Sequence, residues 1–282
     1  MYEFCTDYEK MFENIVASAY THIAAQKVKS LVIGMSGGID STLTAALAWE
    51  TLARLDGHKT KLIGRVIDIE SDPEEMKRAV KAMNAFCHGH GYHEMTDFYK
   101  DAVQEIMWVG SNSDSMKDRI RRGNIKARLR MIKLYDLANS LDGMVLSTDN
   151  YTEYLLGFWT LHGDVGDFGM IQNLWKTEVY GLAEYLMKRY NRLKMYKFAD
   201  SLKECVDAIP TDGLGVTDSD FDQIYPDHDR NLSPAQIYYK VDLALRHRHA
   251  MQYKDHTAVK RWNATTFKRN NPFNIPREYI VK

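Results

Sequence analysis

Apolar residues recur at helical spacing from Asp7 to Val28, where Tyr8, Met11, Phe12, Ile15, Val16 and Tyr20 predict an amphipathic first helix. The period then changes. Ser30 to Met35 (SLVIGM) is a short apolar run, SGGIDS follows it, and TLTAALAWETLARL returns to helical spacing, so the order is strand, glycine turn, helix. Lys61 to Ile69 reads as a second strand, and Pro73 opens a helix to about His88. Lys117 to Leu141 is helical, Gly143 to Ser147 is another short strand, and Lys176 to Tyr190 is helical again. From Asn191 onward helix and loop dominate, with Ser233 capping a helix that begins SPAQIYYKVDLAL. Strands alternating with helices imply an α/β fold, a mostly parallel sheet flanked by helices with a helical C-terminal part. Ligands in such sheets sit beyond the carboxyl ends of the strands. No Pro-rich or Ser-rich linker and no repeat divides the chain, which predicts a single domain over residues 1–282.

Composition narrows the function classes. The chain has 37 Lys and Arg against 38 Asp and Glu, a formal charge of −1, which argues against a dedicated nucleic-acid or anionic-membrane binder. Cys5, Cys87 and Cys205 are odd in number and far apart, as expected of reduced thiols in a cytoplasm. The first ten residues lack the apolar core of a signal peptide, and no apolar run is long enough to span a membrane. The cluster CHGHGYH (Cys87 to His93) reads as a helix end and loop rather than a metal site, since its spacing is tight and no second ligand pair accompanies it.

The turn Gly34, Met35, Ser36, Gly37, Gly38, Ile39, Asp40, Ser41 joins strand to helix. Glycines let backbone approach an anion, and free amides at a helix start point at negative oxygens, so the turn is a phosphate cradle by construction. It is neither GxxxxGK[ST] nor GxGxxG, because an acid and hydroxyls stand where a lysine would follow. A carboxylate beside phosphates needs a cation between them. Asp40 therefore reads as a Mg²⁺ ligand, with Ser36 and Ser41 donating to phosphate, or else as an N-terminal cap on a turn that is merely tight.

SGGIDS after an apolar strand resembles the pyrophosphate-binding loop of the ATP pyrophosphatases, which adenylate a substrate and release pyrophosphate. Further motifs are similar to one branch of that superfamily, the NAD synthetases. Eight basic residues and one acid lie between Lys117 and Lys133, and within them GNIKARLRM resembles the GNxKAR segment, with Asn124 and Arg128 on one helical face. By charge alone that face is equally a solvated surface. LSTDNYTEYLLGFWTLHGD (Leu146 to Asp164) resembles GTDxxExxxGFxTxxGD, LWKTEVYGLAEYL resembles LxKxxVxxLA, Pro210, Thr211 and Asp212 resemble the PTADL-like segment, and FKRNNP resembles HKRxxP. The resemblance runs in order from about Leu31 to Pro272.

The resemblance implies an adenine nucleotide alpha hydrolase-like fold and a ligase that amidates deamido-NAD to NAD with ATP and ammonia through an acyl adenylate. It implies ATP at the turn residues Gly34 to Ser41 and at Thr148, Lys176 and Thr211, and Mg²⁺ held by Asp40 and Glu153. Asp40, Lys176 and Thr211 would act in catalysis, and Asn124, Arg128, Asp167, Phe267 and Lys268 would touch the substrate. A cytoplasmic homodimer is the family's usual form. Without the resemblance, Glu153 is one acid in a polar loop and Lys176 an ordinary helix-start lysine. Leu161 stands for the family's substrate-side lysine, Phe267 for its histidine and Val165 for a glycine, so the losses cluster on the nicotinate-nucleotide side. Two alternatives follow: amidation of nicotinate mononucleotide, and a non-catalytic ATP-binding module.

Overall fold

A computed structural model describes residues 3–55, 59–107, 115–211, 215–272 and 274–277. Its first half runs α1 (Tyr8–Gln26), β1 (Ser30–Gly34), α2 (Ile39–Ala53), β2 (Lys61–Asp68), α3 (Pro73–Phe86), β3 (Gly89–Glu94), α4 (Thr96–Ile106) and α5 (Met116–Ser140). The second half runs β4 (Gly143–Ser147), α6 (Tyr151–Leu156), β5 (Phe168–Gly169), α7 (Lys176–Arg192), α8 (Tyr196–Asp207), α9 (Phe221–Ile224), α10 (Pro234–Arg246), α11 (Thr257–Ala264) and α12 (Thr266–Arg269). Asp7, Asp72 and Ser233 cap α1, α3 and α10 by accepting from free backbone amides.

The strands form a parallel sheet in the order β3-β2-β1-β4-β5. Residues of β1 alternate between two apolar layers. Leu31 and Ile33 join the larger core with Phe12, Leu43, Trp175 and Leu186, whereas Val32 joins the smaller one with Tyr99, Ile125 and Leu129. The chain moves outward from β1 through β2 to β3, then crosses to the other side of β1 to form β4. That reversal opens a crevice beyond the carboxyl ends of β1 and β4.

Several elements depart from the reading of the pattern, among them α6, a helix around Glu153 where a polar loop was expected. Gly89 to Glu94, expected to be loop, is the edge strand β3, pairing from Ile63↔Gly89 to Asp68↔Glu94. Its positions alternate between half-buried and exposed, and two of the six are glycines, so backbone hydrogen bonding to β2 makes the strand and no apolar alternation announces it. The two-residue β5 pairs with β4 and is too short to carry a period. Helix α2 begins at Ile39, so the end of the glycine motif is already helical.

Candidate active site

The crevice is a cavity of about 590 Å³ lined by residues of the glycine turn, the β4–α6 loop, α3, α5 and the C-terminal helices. Gly37 stands at φ +82°, and a Cβ there would lie 2.2 Å from the Glu75 carbonyl oxygen, so only glycine fits. Ser36 and Ser41 hydroxyls lie 3.1 Å apart, Gly38 N–H donates to Ser36 Oγ (3.2 Å), and Ser41 Oγ donates to Gly38 O (3.2 Å). Gly38 brings no side-chain cap to α2, which leaves helix-start amides facing the crevice.

Asp40, in the first turn of α2, meets α6 and α7 across this opening. Its carboxylate accepts from Asn150 Nδ2 (2.9 Å) and from Lys176 Nζ, and the same Nζ donates to Glu153 Oε1 (3.0 Å). Asn150 also caps α6, accepting from Glu153 N (3.0 Å) while Glu153 Oε2 accepts from Asn150 N (3.4 Å). One residue thus fixes both acids. Beneath them Asp242, fully buried, accepts from Thr152 Oγ1 (2.6 Å), Thr177 Oγ1 (2.6 Å) and Thr177 N (2.8 Å), and Lys176 N donates to Thr152 Oγ1 (2.8 Å). These bonds fasten the starts of α6 and α7 together.

Burial shapes the electrostatics. It pushes Glu153 up to about 8 against the pull of Lys176, and Asp149, facing Asp164 and Asp40, up to about 7. Burial opposes the charge on Lys176, but Asp40 and Glu153 outweigh it and hold the ammonium well above the usual lysine range. Two carboxylates converging on one cation suit a hard divalent ion that takes its remaining oxygens from phosphate and water. Among the described residues no group of three or more acids, histidines and cysteines gathers as a protein-only metal cage.

The cavity gathers most of the residues singled out in the sequence. Gly34, Met35, Ser36, Gly38, Ile39, Asp40, Ser41, Asn124, Thr148, Glu153, Lys176, Thr211 and Lys268 all line it. Thr211 Oγ1 donates to Glu75 Oε1 (2.5 Å), and Asp212 lies outside the described residues. Asn124 accepts from Thr160 Oγ1 (2.7 Å), while Lys268 Nζ donates to the carbonyls of Gly157 (2.8 Å) and Trp159. Arg128, Asp167 and Phe267 stand apart from the lining. Arg128 is exposed and donates to Leu161 O (3.3 and 3.2 Å), Asp167 accepts from Tyr135 Oη (2.9 Å) and Val145 N (2.8 Å), and Phe267 is 62% exposed. Asn150, Asp149, Arg78 and Trp159 were not singled out. Of these, Asn150 has a local signal in the N-x-x-E spacing of a capping box, and Asp149 stands at the acid of the GTDxxE-like stretch.

A family model described as NAD synthase matches residues 11–272. The NH(3)-dependent NAD(+) synthetase of Methanopyrus kandleri is 39% identical over 157 residues, 55% of this chain and 52% of that protein, so the chain spans about half the length of this relative. The NMN synthetase structure from Francisella tularensis superposes with a TM-score of 0.74 at 22% identity, covering 97% of this chain and 99% of that one. The NH3-dependent NAD synthetase structure from Campylobacter jejuni gives 0.64 at 21% identity, covering 96% and 100%. At those identities the two structures speak to the fold.

Proposed function

The chain belongs to the NAD synthase family, and from that premise we propose that it is an ammonia-dependent ligase that amidates deamido-NAD to NAD, with ATP as co-substrate and release of AMP and pyrophosphate. The observation that carries this reading is the single ammonium of Lys176 shared by Asp40 and Glu153 at the mouth of the glycine turn. That arrangement presents one cation and two oxygen ligands where a polyphosphate would lie.

In this mechanism the turn amides with Ser36 and Ser41 cradle the β- and γ-phosphates. Asp40 and Glu153 would hold Mg²⁺, which when bound neutralises phosphate charge. The nicotinate carboxylate attacks the α-phosphorus, the bond from phosphorus to the bridging oxygen breaks, and pyrophosphate leaves with the electron pair. Lys176 and Thr211 donate to the departing oxygens, where charge develops. Ammonia then attacks the acyl carbon of the adenylate, loses a proton, and displaces AMP. No side chain becomes covalently attached. We take the working form as a homodimer in a reducing, cytoplasmic compartment, with Cys5, Cys87 and Cys205 as free thiols.

A second acceptor, nicotinate mononucleotide, is favoured by a specific observation: Arg128, Asp167 and Phe267, the positions expected to hold the larger dinucleotide, stand apart from the cavity lining. The protein from Francisella tularensis whose structure superposes with a TM-score of 0.74 is an NMN synthetase. Pyrophosphate release with ATP, Mg²⁺ and ammonium, in separate tubes with each acceptor, tests both. Release with deamido-NAD together with NAD formation supports the first reading, release confined to the mononucleotide moves the function to the second, and silence in both leaves an ATP-binding module.

A further inference from the structure

Helix α3 braces the glycine turn. Its Glu75 carbonyl sits where a Cβ of Gly37 would be, and Thr211 donates to the Glu75 carboxylate, so α3 packs directly on the cradle. Arg78, three residues further along the same face, reaches the same place. Its Nε donates to the Gly37 carbonyl (3.2 Å), its side chain is half-buried, and it lines the cavity. Its terminal nitrogens have no hydrogen-bond partner among the described residues. A guanidinium held by Nε keeps two terminal nitrogens as a planar fork, the shape that meets phosphate oxygens bidentately.

The charges around the turn give that fork a purpose. Lys176 lies between the Asp40 and Glu153 carboxyls, so the triad carries no surplus positive charge, and Asp149 and Glu75 add further acidic side chains to the lining. A triphosphate brings several more negative charges. A divalent cation on Asp40 and Glu153 leaves little positive charge on the turn itself beyond the helix-start amides. Arg78 supplies a guanidinium hydrogen-bonded to the turn's own backbone, with a planar fork that suits phosphate oxygens.

We propose that Arg78 is a phosphate-binding residue, whose terminal nitrogens grip β- or γ-phosphate oxygens of ATP, and afterwards the freed pyrophosphate, while Nε steadies Gly37. The assignment rests on the ATP-dependent reading above but does not depend on which nicotinate nucleotide is the acceptor.

Isothermal titration of the full-length protein with Mg²⁺-pyrophosphate and with Mg²⁺-ATP, in the absence of acceptor, tests it on wild type, Arg78→Met and Arg78→Lys, alongside melting temperatures and steady-state constants. Arg78→Met should weaken both ligands by about tenfold, and Arg78→Lys should regain part of the loss. The KM for ATP should rise while the KM for acceptor and for ammonium stay put. Pyrophosphate affinity within twofold of wild type in Arg78→Met overturns the proposal, and a lowered melting temperature in that same protein would leave Arg78 as a prop for Gly37 alone. If Arg78→Met does not fold, Arg78→Gln carries the same comparison. Should wild type itself bind neither ligand, the ATP-dependent reading fails first, which separates the two failures.

Discussion

Lys176 holds one positive charge between two acids, and that sets what a substitution there does. Replacing it with Met leaves Asp40 and Glu153 facing each other without a counter-ion, about 18% and 17% exposed. Breaking a fully buried ion pair in this way costs about 3–5 kcal/mol, and the remaining solvent contact brings the expectation to about 2–3 kcal/mol. Lys176→Met should therefore melt below wild type, and millimolar Mg²⁺ should restore a larger part of its melting temperature than of wild type's. Differential scanning calorimetry with and without the metal checks this; equal responses in both proteins would place the divalent ion elsewhere. The same variant should lose about 10²–10³ in kcat for pyrophosphate release if the ammonium meets the departing oxygens. At this scale the sequence shows which side chains carry chemistry but not which of them meet. Asp40, Glu153 and Lys176 stand out separately, from a helix start, a loop and another helix start, while nothing in the sequence marks Arg78, a charge within the helix that Pro73 opens.

Helix α6 is six residues long and would not persist alone in water. Its two ends explain why it persists here. The N-terminus carries the reciprocal Asn150–Glu153 cap, and the C-terminus is covered by the last helices: Arg269 Nη1 donates to Leu155 O (2.6 Å), Arg261 Nε and Thr265 Oγ1 to Leu156 O (3.1 Å each), and Lys268 Nζ to Gly157 O. Cations at a helix C-terminus also oppose its dipole. Gly157 makes the contact close, with φ +59° and a would-be Cβ only 2.5 Å from Thr265 Cβ. Gly157→Ala should lower stability by about 1–3 kcal/mol and loosen Glu153 with it. Mn²⁺ affinity followed by electron paramagnetic resonance should weaken in Gly157→Ala even at temperatures where the protein remains folded, and unchanged affinity would uncouple the clasp from the metal ligand. The basic FKRN segment was legible as a motif. Its use as a clasp on backbone carbonyls was not, because the carbonyls belong to the end of α6 and the loop after it, about 110 residues earlier in the chain.

Across the whole molecule, burial concentrates acids around the crevice, and this makes stability depend on pH in a definite direction. Asp242 is pushed up to about 6 and Asp149 to about 7, both by burial first. A carboxyl raised in the folded state binds its proton more tightly there than when unfolded. Its contribution is full below the unfolded value near 4 and disappears as pH rises through the folded value. With Glu153 raised to about 8 as well, the unliganded protein should therefore melt at a higher temperature at pH 5 than at pH 8, stability falling as pH rises from about 4 to about 8, and Asp242→Asn should flatten the Asp242 part of that slope. Thermal scans across pH check this, and a melting temperature that climbs steadily from pH 5 to 8 would contradict it. Topology acts at this scale as well. The reversal between β1 and β4 places the turn after one strand opposite the loop after the other, and this brings Asp40 within reach of Asn150, more than a hundred residues away.

The sequence by itself determined the alternation of strand and helix, the phosphate-shaped turn and the family, because each is written in short-range pattern: a period, a glycine pair before an acid, an ordered string of motifs. Tertiary structure decided which of those residues share one cavity. It brought Lys176 onto two acids, set Arg78 against Gly37, and turned Arg128, Asp167 and Phe267 to tasks or surfaces outside the lining. The physical reason is that period and motif are local, whereas a side chain's partners are set by crossover handedness, strand order and the packing of helices distant in sequence. The edge strand β3 makes the same point from the other direction: its hydrogen bonds to β2 created a strand where side chains alone gave no sign of one.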